Sequence, residues 1–232
     1  MPFSDVPNIR QLELFREMDG ACFDELMRVS YVQNFPPQLE LISEGDPSDF
    51  LHVVVSGGVE LFSRWNGRES TLAIIHPVST FILAASMRNG PYLMSARTLE
   101  KSRIILIPSQ DVRAVFGKDP KFSRAIVDEL AQVCRNATKR TKDLKLRTTL
   151  ERLANYLLVQ QKQSGNNSNF SIPIEKKHLA SLLGMTPENL SRTLKNLRTY
   201  GVLVNGQNIT ISNQGDLERL AKPNSLIDDA FL

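Results

Sequence analysis

The chain has 232 residues, 41% hydrophobic and 23% charged; that is enough for a packed core and one large or two smaller domains, and it excludes wholesale disorder. No stretch approaches the ~20 continuous apolar residues of a membrane span. The start, MPFSDVPNIRQLELF, lacks a basic segment followed by an apolar run, so no secretion signal is read and a cytoplasmic protein away from membranes is expected. Lys and Arg number 28 against 25 Asp and Glu, a net charge of +3, so the placement of the basic residues, not their sum, must decide for or against nucleic acid.

Residues 8–33 carry apolar side chains at helical spacing (Leu12, Leu14, Phe15, then Phe23, Leu26, Met27), and Asp19-Gly20 divides them into two short helices. From about 30 to 107 the texture changes to short apolar runs separated by turn residues: Leu39–Ile42, Leu51–Val55, Val59–Ser63, Leu72–Ile75, Thr80–Leu83, Leu93–Leu99 and Arg103–Ile107. Asn66-Gly67 between two runs signals a two-residue hairpin. Seven or eight strands at this spacing predict an antiparallel sandwich or jelly roll. Pro108–Phe116 reads as a short helix. Asp119 as N-cap and Pro120 at the first helical position open a long one, running to about 147. Its apolar seam, Phe122, Ile126, Leu130, Val133, Ala137 and Leu144, predicts either a two-stranded coiled coil between copies or packing on its own β domain.

Residues 148–232 form a third block. Leu150, Leu153, Ala154, Leu157 and Leu158 mark an amphipathic helix, and 163–169 is a polar loop. Glu175–Leu183 reads as a helix, Gly184–Thr186 as a turn, and Pro187–Tyr200 as a second helix with Gly201 at its end. Val202–Val204 and Ile209–Ile211 form a two-stranded wing around Asn205-Gly206. This is the pattern of a winged helix-turn-helix.

Within the second of these helices Leu190, Leu194 and Leu197 face inward. Glu188, Asn189, Ser191, Arg192 and Lys195 are left outward in the first two turns, the part of a recognition helix that enters the major groove. Arg192 has the fork geometry for guanine O6 and N7, and Glu188 can accept from a cytosine amino group. Thr186 is a fitting N-cap whose hydroxyl can also meet a phosphate. Residues 175–205 hold five basic residues (Lys176, Lys177, Arg192, Lys195, Arg198) and two acidic ones, a local surplus that the whole-chain charge conceals.

Catalytic and metal chemistry find little support. Cys22 and Cys134 are the only cysteines, with no CxxC, and His52, His76 and His178 have no ligand spacing. No disulfide framework, zinc site or catalytic residue set is expected, and the chain is not read as an enzyme. Cys134 on the long helix reads as a small buried residue, the alternative being a disulfide between copies.

The order of these blocks resembles the CRP/FNR superfamily of transcription regulators over nearly the whole chain. The resemblance rests on Glu44-Gly45-Asp46 and Ser56-Gly57-Gly58-Val59-Glu60-Leu61 in the β block, on the long helix, and on Glu188-Asn189-Leu190-Ser191-Arg192, which is similar to the E-x-x-S-R of FNR-type recognition helices. It implies an α+β chain divided into a cyclic-nucleotide-binding-like β-roll sensor (1–117), a dimerisation helix (118–147) and a winged helix-turn-helix (148–232). It also implies a homodimer on a palindromic DNA site with TTGA-like half-sites read by Glu188, Ser191 and Arg192, Lys195 reaching a base or phosphate, Lys176 and Thr186 on the backbone, and RNA polymerase as a further partner. The expected function is a sequence-specific transcription regulator, an activator or a repressor. The alternative is a cyclic-nucleotide-binding-like regulatory module that does not bind DNA.

The effector region departs from the family pattern. Where cyclic-AMP receptors carry a glycine, a ribose-binding glutamate and a phosphate-binding arginine, this chain has Leu83, Ala84 and Met94, followed by Ser95. A buried phosphate without its arginine costs several kcal/mol, so an effector other than cAMP is expected. The clustered cysteines of oxygen sensors are missing too, which argues against an iron–sulfur cluster. Around Phe81, Leu83, Ala84, Met94 and Ser95 three readings stay open: a packed core, an apolar effector pocket, or a haem, for which Pro2 resembles the ligand of one sensor in this superfamily.

Overall fold

The computed structural model describes residues 9–229. The chain divides into two compact units, one up to Val133 and one from Cys134, and each is described by itself.

In the first unit, α1 (Glu13–Arg16) and α2 (Gly20–Val29) precede eight strands: β1 (Tyr31–Phe35), β2 (Glu40–Ile42), β3 (Phe50–Ser56), β4 (Val59–Trp65), β5 (Arg68–Ile75), β6 (Ser79–Phe81), β7 (Ser95–Thr98) and β8 (Ser102–Pro108). They form two four-stranded sheets, ordered β1-β8-β3-β6 and β2-β7-β4-β5, antiparallel throughout. Strands β3 and β8 are buried on both faces, which explains their unbroken apolar runs. Leu51, Val53, Ile105 and Ile107 meet the helices. Val54 and Ile104 face the roll interior with Ile42, Val59, Leu61, Phe81, Tyr92 and Ala96. The expected hairpin closes β4 onto β5: Asn66 (φ +50°) and Gly67 (φ +73°) are both left-handed, as a type I′ turn requires.

Three expectations change here. Strand β1 lies at the end of the segment expected to be helical. The run Thr80–Leu83 stops as a strand at Phe81; Ile82 turns left-handed (φ +61°), and α3 (Leu83–Arg88) begins. The run Leu93–Leu99 contributes only Ser95–Thr98. Apolar runs of this length do not distinguish a strand from a short buried helix.

After α4 (Ser109–Phe116), α5 spans Pro120–Leu146. Asp119 caps it as expected, its carboxylate accepting from the N–H groups of Lys121 (2.9 Å) and Phe122 (3.2 Å) and, across from α2, of Asp19 (2.7 Å). Of the expected seam, Phe122 and Ile126 are buried in the first unit's own core. Val133 is 51% and Leu144 40% exposed, and Cys134, expected to be buried, is exposed. The start of α5 thus packs on its own β domain through Phe122 and Ile126, while Val127 (56% exposed) and, in the later turns, Val133 and Leu144 stay open.

The second unit holds the later turns of α5, then α6 (Thr149–Gln163), β9 (Asn169–Ser171), α7 (Lys176–Leu182), α8 (Pro187–Asn196), a 3₁₀ turn (Leu197–Tyr200), β10 (Val202–Asn205), β11 (Asn208–Ile211), α9 (Gln214–Ala221) and α10 (Ser225–Asp228). The expected two-stranded wing has a third strand: β9, from the end of the loop read as polar, pairs with β11. Phe170 anchors it in the core, and Ile172 just beyond it is buried in the same cluster; three residues directly after a polar loop, with Pro173 following, give too short a pattern to stand out. Among the described residues no helix is long and apolar enough to cross a membrane.

Candidate nucleic-acid interface

The junction of α7 and α8 is built by local chemistry. Leu179, Ala180 and Leu183 sit in the winged-helix core. Gly184 is left-handed (φ +65°); its N–H donates to the Ser181 carbonyl and the Met185 N–H to the Ala180 carbonyl, both at 2.9 Å. This is the Schellman closure, and it needs a residue that tolerates positive φ. A Cβ at Gly184 would lie 2.8 Å from Leu144 Cδ2 on α5, so the glycine also allows the end of the long helix to approach the turn. Thr186 then caps α8, its hydroxyl accepting from the Asn189 N–H at 3.2 Å, with Pro187 in the first turn.

Helix α8 is anchored by the buried Leu190, Thr193 and Leu197; Leu194 is half-buried against the same core. On its other side Glu188, Ser191, Arg192 and Lys195 are exposed and Asn189 is half-exposed. Thr186 and Lys176, the latter in the first turn of α7, are exposed as well. The Glu188 carboxyl is held below the usual carboxylate range by its own backbone N–H and then by the Thr186 hydroxyl, with Arg192 one turn on adding to the effect; the side chain is therefore an ionised acceptor. Ser191 spends its hydroxyl proton on the Pro187 carbonyl at 3.0 Å, which leaves its oxygen lone pairs outward.

One residue in this region gave no sequence signal. Arg152 on α6 is 7% exposed. Its Nε donates to the Leu183 carbonyl at 2.9 Å, and its Nη1 donates to the carbonyls of Arg147 at 2.8 Å and Leu144 at 3.4 Å. It joins the end of α5, the joint after it, and the end of α7. An arginine on a helix normally reads as solvated, and only the two helix ends meeting over it reveal its role.

The residues expected around the effector region do not share one lining. Phe81 is buried in the roll interior and Met94 packs on the same cluster. Ser95 is buried and its hydroxyl accepts from the Glu44 N–H at 3.0 Å. Leu83 turns into the core beneath the helices, and Ala84, next on α3, is exposed. His52 faces the roll interior, stacked on Phe81 with ring centroids 4.9 Å apart. Burial pushes its imidazole down to about 4, so it is neutral at pH 7 and cannot pair with a phosphate. Arg97 points elsewhere: its guanidinium lies 2.6 Å from Glu60 and 2.7 Å from Glu69 and covers the Phe62 ring at 4.4 Å. Arg88 is exposed at the end of α3. The side chains packed here are apolar apart from His52, the Ser95 hydroxyl already engaged by Glu44, and the Tyr92 hydroxyl, which donates to the Phe50 carbonyl at 3.2 Å; with no cationic group among them, they do not fit as a cradle for a cyclic phosphate. Pro2 lies outside the described residues.

Comparison with known proteins agrees with this layout. The cyclic nucleotide-binding domain family matches residues 32–119, and the Crp-like helix-turn-helix domain family matches residues 151–220. The chain is 25% identical over 215 residues to the CRP-like cAMP-activated global transcriptional regulator of Mycobacterium tuberculosis, covering 90% of this chain and 95% of that one. It is 28% identical over 180 residues to the cyclic AMP receptor protein of Thermus thermophilus, covering 76% and 82%. Its fold is similar to that of FixK2 from Bradyrhizobium japonicum, with a TM-score of 0.71 at 23% identity over 84% of this chain and 99% of that one. A cyclic-nucleotide-binding roll, a long helix and a Crp-like helix-turn-helix follow one another in this order, and the chain belongs to the CRP/FNR superfamily as a transcription regulator with a helix-turn-helix DNA-binding domain.

Proposed function

We propose that the chain works as a homodimer on a palindromic duplex with TTGA-like half-sites, and that α8 reads each half-site with Glu188, Ser191 and Arg192. The observation that carries this reading is the exposed α8 face, with its fork donor, its ionised acceptor and its open hydroxyl oxygen on adjacent turns of one well-anchored helix. Arg192 takes a guanine bidentately, and Glu188 accepts from a cytosine amino group. Asn189 and Lys195 flank them, while Lys176 and Thr186 fix the register on phosphates. The open stripe on the later turns of α5, with Val133 and Leu144, supplies the dimer contact. The division of labour follows: residues 1–117 sense, 118–147 dimerise, 148–232 bind DNA, and the bound dimer meets RNA polymerase in the cytoplasm to regulate transcription. A module that does not bind DNA would leave the built turn between α7 and α8 without a use.

The effector is a molecule other than cAMP. The relatives named for cAMP notwithstanding, Leu83, Ala84 and Met94 stand at the positions of the cassette here, and Arg97 is committed to two glutamates. No iron–sulfur cluster is part of this reading, and the visible absorption spectrum of the purified protein decides for or against haem.

The test is a gel shift with a palindromic TTGA duplex. Salt-sensitive, sequence-dependent binding is expected. Arg192→Ala costs about 1–3 kcal/mol and relaxes preference at one base pair, whereas Lys176→Ala weakens all sequences alike. Binding that ignores sequence, or an Arg192→Ala protein with unchanged preference, overturns the assignment.

A further inference from the structure

The C-terminal segment has no place in the helix-turn-helix scheme. After α9 the backbone turns left-handed at Lys222 (φ +48°), and the short α10 follows, with the Asn224 side chain accepting from the Leu226 N–H. This segment reaches the joint between α5 and α6. That joint is two residues long, Arg147 and Thr148, since α5 ends at Leu146 and α6 starts at Thr149.

The Asp228 carboxylate accepts from both Arg147 Nη atoms at 2.6 Å each, the fork-on-fork geometry that is the strongest form of this pair. Asp143, one turn back on α5, holds the same guanidinium at 2.9 Å. Lys139 Nζ donates to the Asp229 carbonyl at 2.6 Å. Asp228 also accepts from the Asn224 N–H at 2.7 Å, which fixes the carboxylate on its own turn. At the root of the segment, Asn155 Nδ2 on α6 donates to the Ala221 carbonyl at 2.7 Å. The Arg147 and Asp228 side chains are 8% and 15% exposed, so water screens the pair little. The segment is thereby tied to the end of α5 and to the joint, while its root at Ala221 is held to α6. None of the groups it holds belongs to the α8 reading set, so it does not plug the DNA-binding face.

We propose that Asn224–Asp229 is an intramolecular strap that fixes the angle between the end of the long helix and the winged helix, and so sets the affinity for paired half-sites. The proposal rests on the paired-half-site reading above. A dimer must present two recognition helices about one helical turn of DNA apart. Each loose joint must be ordered on binding, and that cost is subtracted from affinity. A single half-site makes no such demand on the angle.

The test compares the full-length protein with Asp228→Asn, with Asp228→Glu, and with a chain ending at Lys222. Affinity is measured for duplexes carrying two half-sites and one, together with amide hydrogen exchange over residues 144–152. Asp228→Asn and the shortened chain are expected to lose about tenfold on the two-site duplex, roughly 1.4 kcal/mol, to stay within about twofold on the one-site duplex, and to exchange faster at the joint. Asp228→Glu restores part of the loss. Equal loss on both duplexes makes the segment a stability element and overturns the strap, as does unchanged exchange with unchanged two-site affinity. If the unaltered protein does not prefer two half-sites over one, the paired-site reading fails by itself; the joint's exchange then decides the strap, faster in Asp228→Asn supporting it and unchanged overturning it.

Discussion

Replacing Arg152 by Met keeps most of the side chain's apolar stem and removes the guanidinium. Two of its hydrogen bonds are of good length, to Leu183 at 2.9 Å and to Arg147 at 2.8 Å, and the third, to Leu144, is long at 3.4 Å. A bond from a charged donor contributes about 1.5–3 kcal/mol, so the two good ones set a ceiling near 6 kcal/mol. Relieving the desolvation of a guanidinium that is 7% exposed returns part of that. The expected destabilisation of the second unit is about 2–4 kcal/mol, because the carbonyls at the ends of two helices lose their partner in a place water reaches poorly. The assay is amide exchange over residues 149–183 as a function of urea, which reports this unit separately from the roll. Arg152→Lys should fall between the two, since an ammonium cannot span both helix ends as a planar fork does. Equal urea midpoints for Arg152→Met and the unaltered chain would refute the reasoning: the carbonyls would then be satisfied without the arginine.

His52 gives the roll a pH dependence. Its imidazole titrates at about 4 when folded against 6.5 when free, so between those values the unfolded chain binds the extra proton. Stability contributed by the neutral buried ring is complete above pH 6.5 and is lost as pH falls toward 4, about 1.4 kcal/mol per pH unit where the difference is fully expressed; His52→Phe should flatten that part of a urea-midpoint profile, and an unchanged slope refutes the assignment. Gly184→Ala places a Cβ at φ +65°, 2.8 Å from Leu144 Cδ2. The left-handed backbone alone costs about 1–2 kcal/mol, and moving Leu144 should also weaken DNA binding; a variant as stable and as tightly bound as the parent shows that the turn and α5 do not press on one another.

The elements most legible in the sequence are those whose chemistry is local. Asp119-Pro120, Asn66-Gly67, Gly184 and Thr186-Pro187 each state a cap, a turn or a closure within a few residues, and the structure places each where its neighbours dictate. What escaped the sequence depends on partners far along the chain. Strand β9 exists because β11 is there to pair with it, and its three residues are too few to show a period of their own. Helix α3 and the reversal at Ile82 follow an apolar run that fits strand or helix equally. Phe122 and Ile126 have the spacing of a seam toward a second copy, yet they are taken up by the first unit's own core; periodicity gives the face of a helix and is silent on what covers it. On α8 the outward residues were readable, since the inward leucines define the opposite side. Arg152 and Asp228 were not, because a charged residue gains meaning only when its counterpart arrives from another segment.

Those two residues share a location, and that bears on how the protein is regulated. Arg152 and Arg147 are both largely buried at the junction of the long helix with the winged helix. About two turns earlier Arg140 is partly buried, and that burial lowers its guanidinium below its usual value despite Asp143 nearby; its Nη2 lies 3.5 Å from the Leu182 carbonyl. Apolar side chains of similar volume would stabilise such a junction as well or better. A guanidinium adds direction: it bonds to particular carbonyls and carboxylates at particular angles, so it stabilises one arrangement of the helices over neighbouring ones that an apolar interface would tolerate. The roll spends its buried ion pair differently, with Glu60 and Arg97 bridging β4 and β7 within one sheet. Under the proposed reading of paired half-sites, angular precision is needed at the joint between the long helix and the DNA-binding domain, and Arg147 and Arg152 are buried there.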